Sequence, residues 1–147
     1  MFWGAKNGSV RIGDADMEYA VFGKGNSTLI MLPGLGDGLT TVKGMAVPMA
    51  VAYRMYAKDY KVYVFSRKNG LEDGYSTKDM ARDQAGAMRA LGIGRAKVLG
   101  VSQGGMIAQY LAIDYPELVE KLVLTVTSSR QNRRIRSHLQ SRKSIKN

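Results

Sequence analysis

The pentapeptide Gly100-Val101-Ser102-Gln103-Gly104 constrains the fold of this chain more than any other stretch. It fits the pattern G-x-S-x-G, and its neighbours on both sides suit that pattern. Residues 96–99 predict a short buried strand, and residues 105–112 predict the start of a helix. Small residues two positions before and after the serine let the backbone turn sharply without a clash. Such a turn presents the serine hydroxyl at the end of a sheet, beside helical N–H groups that can hold a developing oxyanion.

A second motif follows an earlier apolar strand, predicted over residues 28–32. This strand runs into Pro33-Gly34-Leu35-Gly36-Asp37-Gly38. Together the two motifs resemble the N-terminal half of an α/β-hydrolase, the superfamily of serine esterases, lipases and peptidases, over residues 9–130. In that family the loop after the third strand carries an H-G-x-G-like run, and here Pro33 stands where histidine is common.

The resemblance implies a chemistry for these residues. Ser102 would be the nucleophile that attacks an ester or related acyl bond and forms an acyl-serine. The backbone N–H groups of Leu35 and Gln103 would be the donors that stabilise the tetrahedral oxyanion. A small acyl compound is therefore the expected substrate, and no cofactor is expected.

The remaining pattern predicts strands that alternate with helices. This alternation predicts an α/β fold, a mostly parallel sheet with helices on both faces. Ser76 and Asp79 form a near-capping-box start for one of the helices. The predicted elements are two strands within 10–22, a helix over 41–57 kinked or divided at Pro48, a strand over 61–65, a helix from Ser76 to Gly92 and a sixth strand over 121–127.

The resemblance also exposes what these residues lack. In the family an acid and then a histidine follow the serine in the chain and complete a triad. No Asp or Glu follows Glu120, and the one histidine, His138, lies in a basic tail where we expect it to be solvated. Asp114 and Glu117 are expected to be surface charges. We therefore expect a partial α/β-hydrolase fold, truncated before its acid and histidine, with little or no turnover.

The net charge of +10 is concentrated at one end of the chain. Seven of the 22 basic residues lie in residues 130–147, where there is no acidic residue. We predict a hydrolase-like domain over 1–132 and a disordered basic tail over 133–147. Because the tail has no interleaved aromatics, a nucleic-acid partner is not expected. The alternative left open is a non-catalytic α/β binding module whose tail contacts nucleic acid or another anionic partner.

Several other classes of protein are disfavoured. The chain has no cysteine and one histidine, so no metal site is predicted. Leu39 stands where the last glycine of a dinucleotide-binding G-x-G-x-x-G would be, so a dinucleotide site is not predicted either. No apolar run approaches the ~18 residues that span a bilayer. A cytoplasmic location without a membrane partner is expected. Strand six would be an apolar, unpaired edge, which predicts a marginally stable monomer or self-association.

Overall fold

The computed structural model describes residues 3–34 and 41–125, which form a layered α/β structure. Its strands are β1 (Lys6–Ile12), β2 (Ala15–Phe22), β3 (Ser27–Leu32), β4 (Tyr60–Lys68), β5 (Ala96–Val101) and β6 (Val119–Thr125). Its helices are α1 (Ala46–Ala52), α2 (Arg54–Ala57), α3 (Thr77–Ala90) and α4 (Gln103–Asp114), with a 3₁₀ turn at Pro116–Leu118.

The strands of this part of the chain form one mixed, mostly parallel sheet in the order β1-β2-β4-β3-β5-β6. The β1–β2 and β2–β4 pairs are antiparallel, whereas β3–β4, β3–β5 and β5–β6 are parallel. The crossovers between parallel strands contain the helices, as parallel pairing requires. The predicted α/β architecture is confirmed. The carboxyl ends of β3, β4 and β5 meet at one edge, where ligand sites of open α/β sheets lie.

The sheet separates two apolar cores, one under each layer of helices. On one face α1, α2 and the preceding segment bury Val42, Met49, Ala50 and Ala57 against Phe22, Leu29, Met31, Val62 and Val64. On the other face α3 and α4 bury Ala81, Ala85, Met88, Ile107 and Leu111 against Val10, Met17, Ile30, Leu32, Phe65 and Val98. Helices therefore cover both faces of the sheet, and the helices of each layer pack their apolar side chains against it.

The helix predicted over 41–57 is the element that the sequence described least well. The helix begins only at Ala46, and Pro48 lies in its first turn, so no kink forms there. First-turn N–H groups have no intrahelical acceptor, and a proline is tolerated there because it loses no hydrogen bond. The break comes instead at Tyr53, which leaves the helical region at φ −111° and ψ 29° between α1 and α2.

The predicted start of α3 is confirmed in atomic detail. The Ser76 hydroxyl accepts a hydrogen bond from the Asp79 N–H at 3.0 Å, and the Asp79 carboxylate accepts one from the Ser76 N–H at 3.1 Å. This reciprocal capping box satisfies two N–H groups at the helix start. The strand predicted over 61–65 continues to Lys68, and this extension brings Arg67 to the carboxyl edge of the sheet.

Candidate functional site

Ser102 lies at the junction between β5 and α4, with an unusual backbone conformation. Its φ is 53° and its ψ is −121°, and the residue is exposed. A non-glycine residue in this region is strained by roughly 1–3 kcal/mol, and such strain persists only where the surroundings impose it. The surroundings do so through the backbone. The Ser102 N–H donates to the Thr125 carbonyl at 3.0 Å, and the Ser102 carbonyl accepts from the Gly105 N–H at 2.9 Å.

The two flanking glycines are required by close backbone approach. A methyl group on Gly100 would lie 2.6 Å from Gly105 Cα, and a methyl group on Gly104 would overlap the carbonyl oxygen of Leu32. Real side chains do not tolerate contacts this short, since packed interiors leave no room for them. The prediction that small residues on either side of Ser102 prevent a backbone clash is thus confirmed, and the clash involves β3 as well as α4.

The structure brings the stem of the second motif against Ser102. A methyl group on Gly34 would lie 2.8 Å from Ser102 Cβ and 3.4 Å from its Oγ. The backbone that leaves β3 therefore passes directly beside the serine hydroxyl. Gln103 is the first residue of α4. Leu35, the other predicted oxyanion donor, lies outside the described residues.

Arg67 is a member of this site that sequence reasoning missed. Its Nη2 donates to the Pro33 carbonyl at 2.6 Å and to Gln103 Oε1 at 3.3 Å, so one nitrogen joins the end of β3 to the start of α4. Burial lowers the pKa of Arg67 to about 10, which leaves the guanidinium charged at neutral pH. The sequence signal that could have indicated it is the basic pair Arg67-Lys68, which begins two residues after the strand predicted over 61–65.

The neighbouring residue Ser66 contacts the chain directly after residues 35–40. Its buried hydroxyl accepts a hydrogen bond from the Val42 N–H at 2.7 Å and lies 3.3 Å from Thr41 Oγ1. Pro33 precedes that interval and is held by Arg67. Two consecutive residues of β4 thus hold the chain just before and just after the segment that carries Leu35.

Comparison with known proteins identifies the family of the chain. Residues 27–142 match the model of a family described as alpha/beta hydrolase fold. The chain belongs to the alpha/beta hydrolase fold family. A hydrolase from Pseudomonas sp. that acts on 2-hydroxy-6-oxononadienedioate or 2-hydroxy-6-oxononatrienedioate is 32% identical over 127 residues, which are 82% of this chain and 41% of that protein. A fluoroacetate dehalogenase from Burkholderia sp. is also 32% identical over 127 residues, 84% of this chain and 41% of its own length.

A solved structure shows the same fold. The crystal structure of a hydrolase from Pseudomonas aeruginosa superimposes with a TM-score of 0.71 at 24% identity and covers 96% of this chain and 56% of that one. The chain therefore spans roughly half, or less, of the length of the alpha/beta hydrolases that it matches. The family membership predicted from the two motifs is confirmed.

Asp114 and Glu117, which the sequence analysis expects to be surface charges, both form ion pairs with basic side chains. Asp114 ends α4 and approaches Lys78 at 4.0 Å, while Glu117 pairs with Arg89 at 2.7 Å. Twelve helical residues separate Asp114 from Ser102 by about 18 Å along α4. Both acids are in surface ion pairs, as expected. His138 and the predicted tail over 133–147 lie outside the described residues, so the domain boundary at 132 stays a prediction.

Neither a metal-binding cluster nor a membrane-spanning helix lies within residues 3–34 and 41–125. No group of three or more His, Cys, Asp or Glu side chains there could hold a metal ion. Within the same residues, no helix has both the length and the apolar character to cross a membrane.

Proposed function

We propose that Ser102 is the nucleophile of an acyl-transfer site that reacts with an ester or related acyl bond of a small molecule. The observation that carries this proposal is the strained, exposed serine on a turn whose flanking glycines permit close backbone contact. Strain of this kind at a strand-to-helix turn is typical of a nucleophile elbow. The names of the relatives, which refer to a dienedioate or trienedioate and to fluoroacetate, support a small-molecule substrate.

The proposed reaction has two steps at Ser102. The hydroxyl oxygen attacks the acyl carbon, and the negative charge that forms on the acyl oxygen is held by the N–H groups of Gln103 and Leu35. The bond to the leaving oxygen then breaks, the alcohol departs with a proton, and an acyl-serine remains. Water hydrolyses this acyl-serine in the second step and regenerates the hydroxyl.

Residues 1–147 are expected to perform these steps slowly. The serine proton needs a general base, and the base needs an orienting acid, yet His138 is the one histidine and no acid follows Glu120. A triad-deleted hydrolase that keeps its oxyanion hole and binding retains roughly 10³–10⁴-fold acceleration over water. We therefore expect slow covalent reaction at Ser102 and, with an activated ester, still slower hydrolysis of the acyl-serine, because the serine is the poorer leaving group.

Covalent labelling tests the proposal. A fluorophosphonate probe should add to these residues once, at Ser102, as read by intact mass and peptide mapping. Ser102→Ala should abolish the adduct. Ser27 is an exposed serine at the start of β3, and Ser27→Ala should leave the adduct unchanged. An adduct that survives in Ser102→Ala, or wild-type chain that gains no adduct at Ser102, would contradict the assignment.

A further inference from the structure

We infer that Arg67 is a positioning residue, whose guanidinium ties the end of β3 to the first residue of α4 and thereby holds Ser102 and the Gln103 N–H in the geometry of acyl transfer. This inference rests on the proposed function of Ser102. The tie consists of the two hydrogen bonds from one nitrogen, Nη2, to Pro33 O and Gln103 Oε1. Pro33 adjoins Gly34, the residue packed against the serine side chain.

The rest of the guanidinium is poorly satisfied. Arg67 Nε and Nη1 are buried and have no hydrogen-bond partner within the described part of the chain, and neither has the buried Gln84 Nε2. Arg67 and Gln84 both line a small cavity of about 10 Å³, a water-sized space whose walls also include polar side chains (Ser66, Lys68 and Asp83) and apolar ones (Met17, Leu32, Met80 and Ile107). Arg67 as a whole is half-buried, but buried donors without partners cost free energy of folding.

This imbalance argues that Arg67 serves the site and not the stability of the fold. Even a whole buried ion pair can often be replaced by well-packed apolar side chains without loss of stability, because taking charges out of water is costly. A residue that lowers the stability of the fold is commonly one that the activity of the protein requires. An arginine that contributed mainly to folding would instead have its donors satisfied, as the great majority of buried polar groups are.

The position of Arg67 explains how it would act at a distance from the reacting atoms. It lies at the carboxyl end of β4, beside the serine turn. Its contacts reach both chain segments that meet at Ser102. A misplacement of about 1 Å at a reacting group can reduce a rate by about 100-fold. Loss of the tie would let the stem at Pro33 and the first turn of α4 separate, so the Gln103 N–H would no longer face the acyl oxygen.

The test compares variants in rate of labelling and in stability. Arg67→Met removes both hydrogen bonds, and Gln103→Met removes one acceptor while it keeps the backbone N–H. Arg89→Met is the matched control, because Arg89 pairs with Glu117 on the surface away from Ser102. The second-order rate constant for fluorophosphonate labelling of Ser102 should fall about 10- to 100-fold in Arg67→Met, less in Gln103→Met, and not in Arg89→Met. The melting temperature of Arg67→Met should stay equal to that of the wild type or rise.

Each other outcome overturns the inference. Unchanged labelling in Arg67→Met would show that the tie does not position the site, and a lower melting temperature or failure to fold would show a structural role. If the wild type is not labelled at Ser102, the proposed function fails, and hydrogen exchange then decides on the tie alone. The amides of Gly105 and Met106, which donate to the Ser102 carbonyl, should exchange at least tenfold faster in Arg67→Met while those of α3 do not change. Equal exchange would refute the tie.

Discussion

Gly104 is the residue at which the turn, the helix and the neighbouring strand come closest together. It lies in the first turn of α4, where an added methyl group would overlap the Leu32 carbonyl oxygen. Gly104→Ala should therefore lower the free energy of unfolding by about 1–3 kcal/mol, as overpacking does, and should slow labelling of Ser102. Urea-induced unfolding measures the first effect and mass spectrometry the second.

A second helical glycine provides the control for this substitution. A methyl group on Gly86, inside α3, would make an ordinary contact of 3.7 Å with Ile12 Cδ1. Gly86→Ala should raise stability by about 0.5–1 kcal/mol, because alanine loses less backbone entropy on folding than glycine. If Gly104→Ala and Gly86→Ala changed stability alike, the close approach of α4 to β3 would not exist in solution.

At this scale the sequence predicted the backbone better than it predicted the side chains. Ser102 and its glycines could be assigned because their spacing reflects local steric limits that any strand-to-helix turn must obey. Arg67 could not, because its contacts reach Pro33, 34 positions away, and Gln103, 36 positions away. Such contacts depend on the order of strands in the sheet, which local patterns do not encode.

The capping box of α3 makes a prediction at the scale of an element. Ser76→Ala removes the acceptor for the Asp79 N–H and one donor to the Asp79 carboxylate. Loss of an N-cap serine typically lowers stability by about 1 kcal/mol. Chemical unfolding of Ser76→Ala should show this loss, with Ser27→Ala as an exposed control outside any helix. A change below a few tenths of a kcal/mol would contradict a functional cap.

The same cap gives stability a dependence on pH. The Ser76 backbone N–H, and then its hydroxyl, lower the pKa of Asp79. A carboxyl with a lowered pKa in the folded state adds stability above its ordinary pKa of about 4 and loses it as the pH falls through the folded value. Asp79→Asn should flatten the acid limb of a stability–pH curve, and an unchanged limb would place that dependence elsewhere.

The segment before α1 shows why helix prediction failed there. Val42 recurs at helical spacing with Met49 and is fully buried, as the pattern predicted. Its backbone N–H donates to the Ser66 hydroxyl on β4, and the first N–H of α1, that of Ala46, donates to Asn7 Oδ1 on β1. The helical spacing therefore predicted burial correctly and the start of the helix wrongly, because contacts with distant strands, which local spacing does not encode, hold the chain before Ala46.

At the scale of the whole molecule, β6 is the edge of the sheet formed by the described residues. Val123 and Leu124 on this strand are 55% and 38% exposed. An apolar edge strand is a template for pairing with another chain, so we expect self-association that grows with concentration. Val123→Lys should reduce it, because an edge lysine opposes pairing, as measured by sedimentation velocity over a concentration series.

A valine that lies away from β6 provides the control for adding a charge to the surface. Val51, on α1, is 46% exposed, close to the exposure of Val123. Val51→Lys should leave self-association unchanged if the edge of β6 causes it. Equal effects of the two lysines would indicate non-specific association, and a wild-type monomer at all concentrations would refute association through the edge.

The proposed function requires that Ser102 form a covalent acyl intermediate even though residues 1–147 hold neither an acid after Glu120 nor a histidine other than His138. Pre-steady-state hydrolysis of a p-nitrophenyl ester measures this step, since a burst reports acyl-enzyme formation. We predict a burst of up to one equivalent of p-nitrophenolate per chain, followed by turnover far below the enzyme median of about 10 s⁻¹. The acyl group should map to Ser102. A burst that persists in Ser102→Ala, or an acyl group on another residue, would contradict the account.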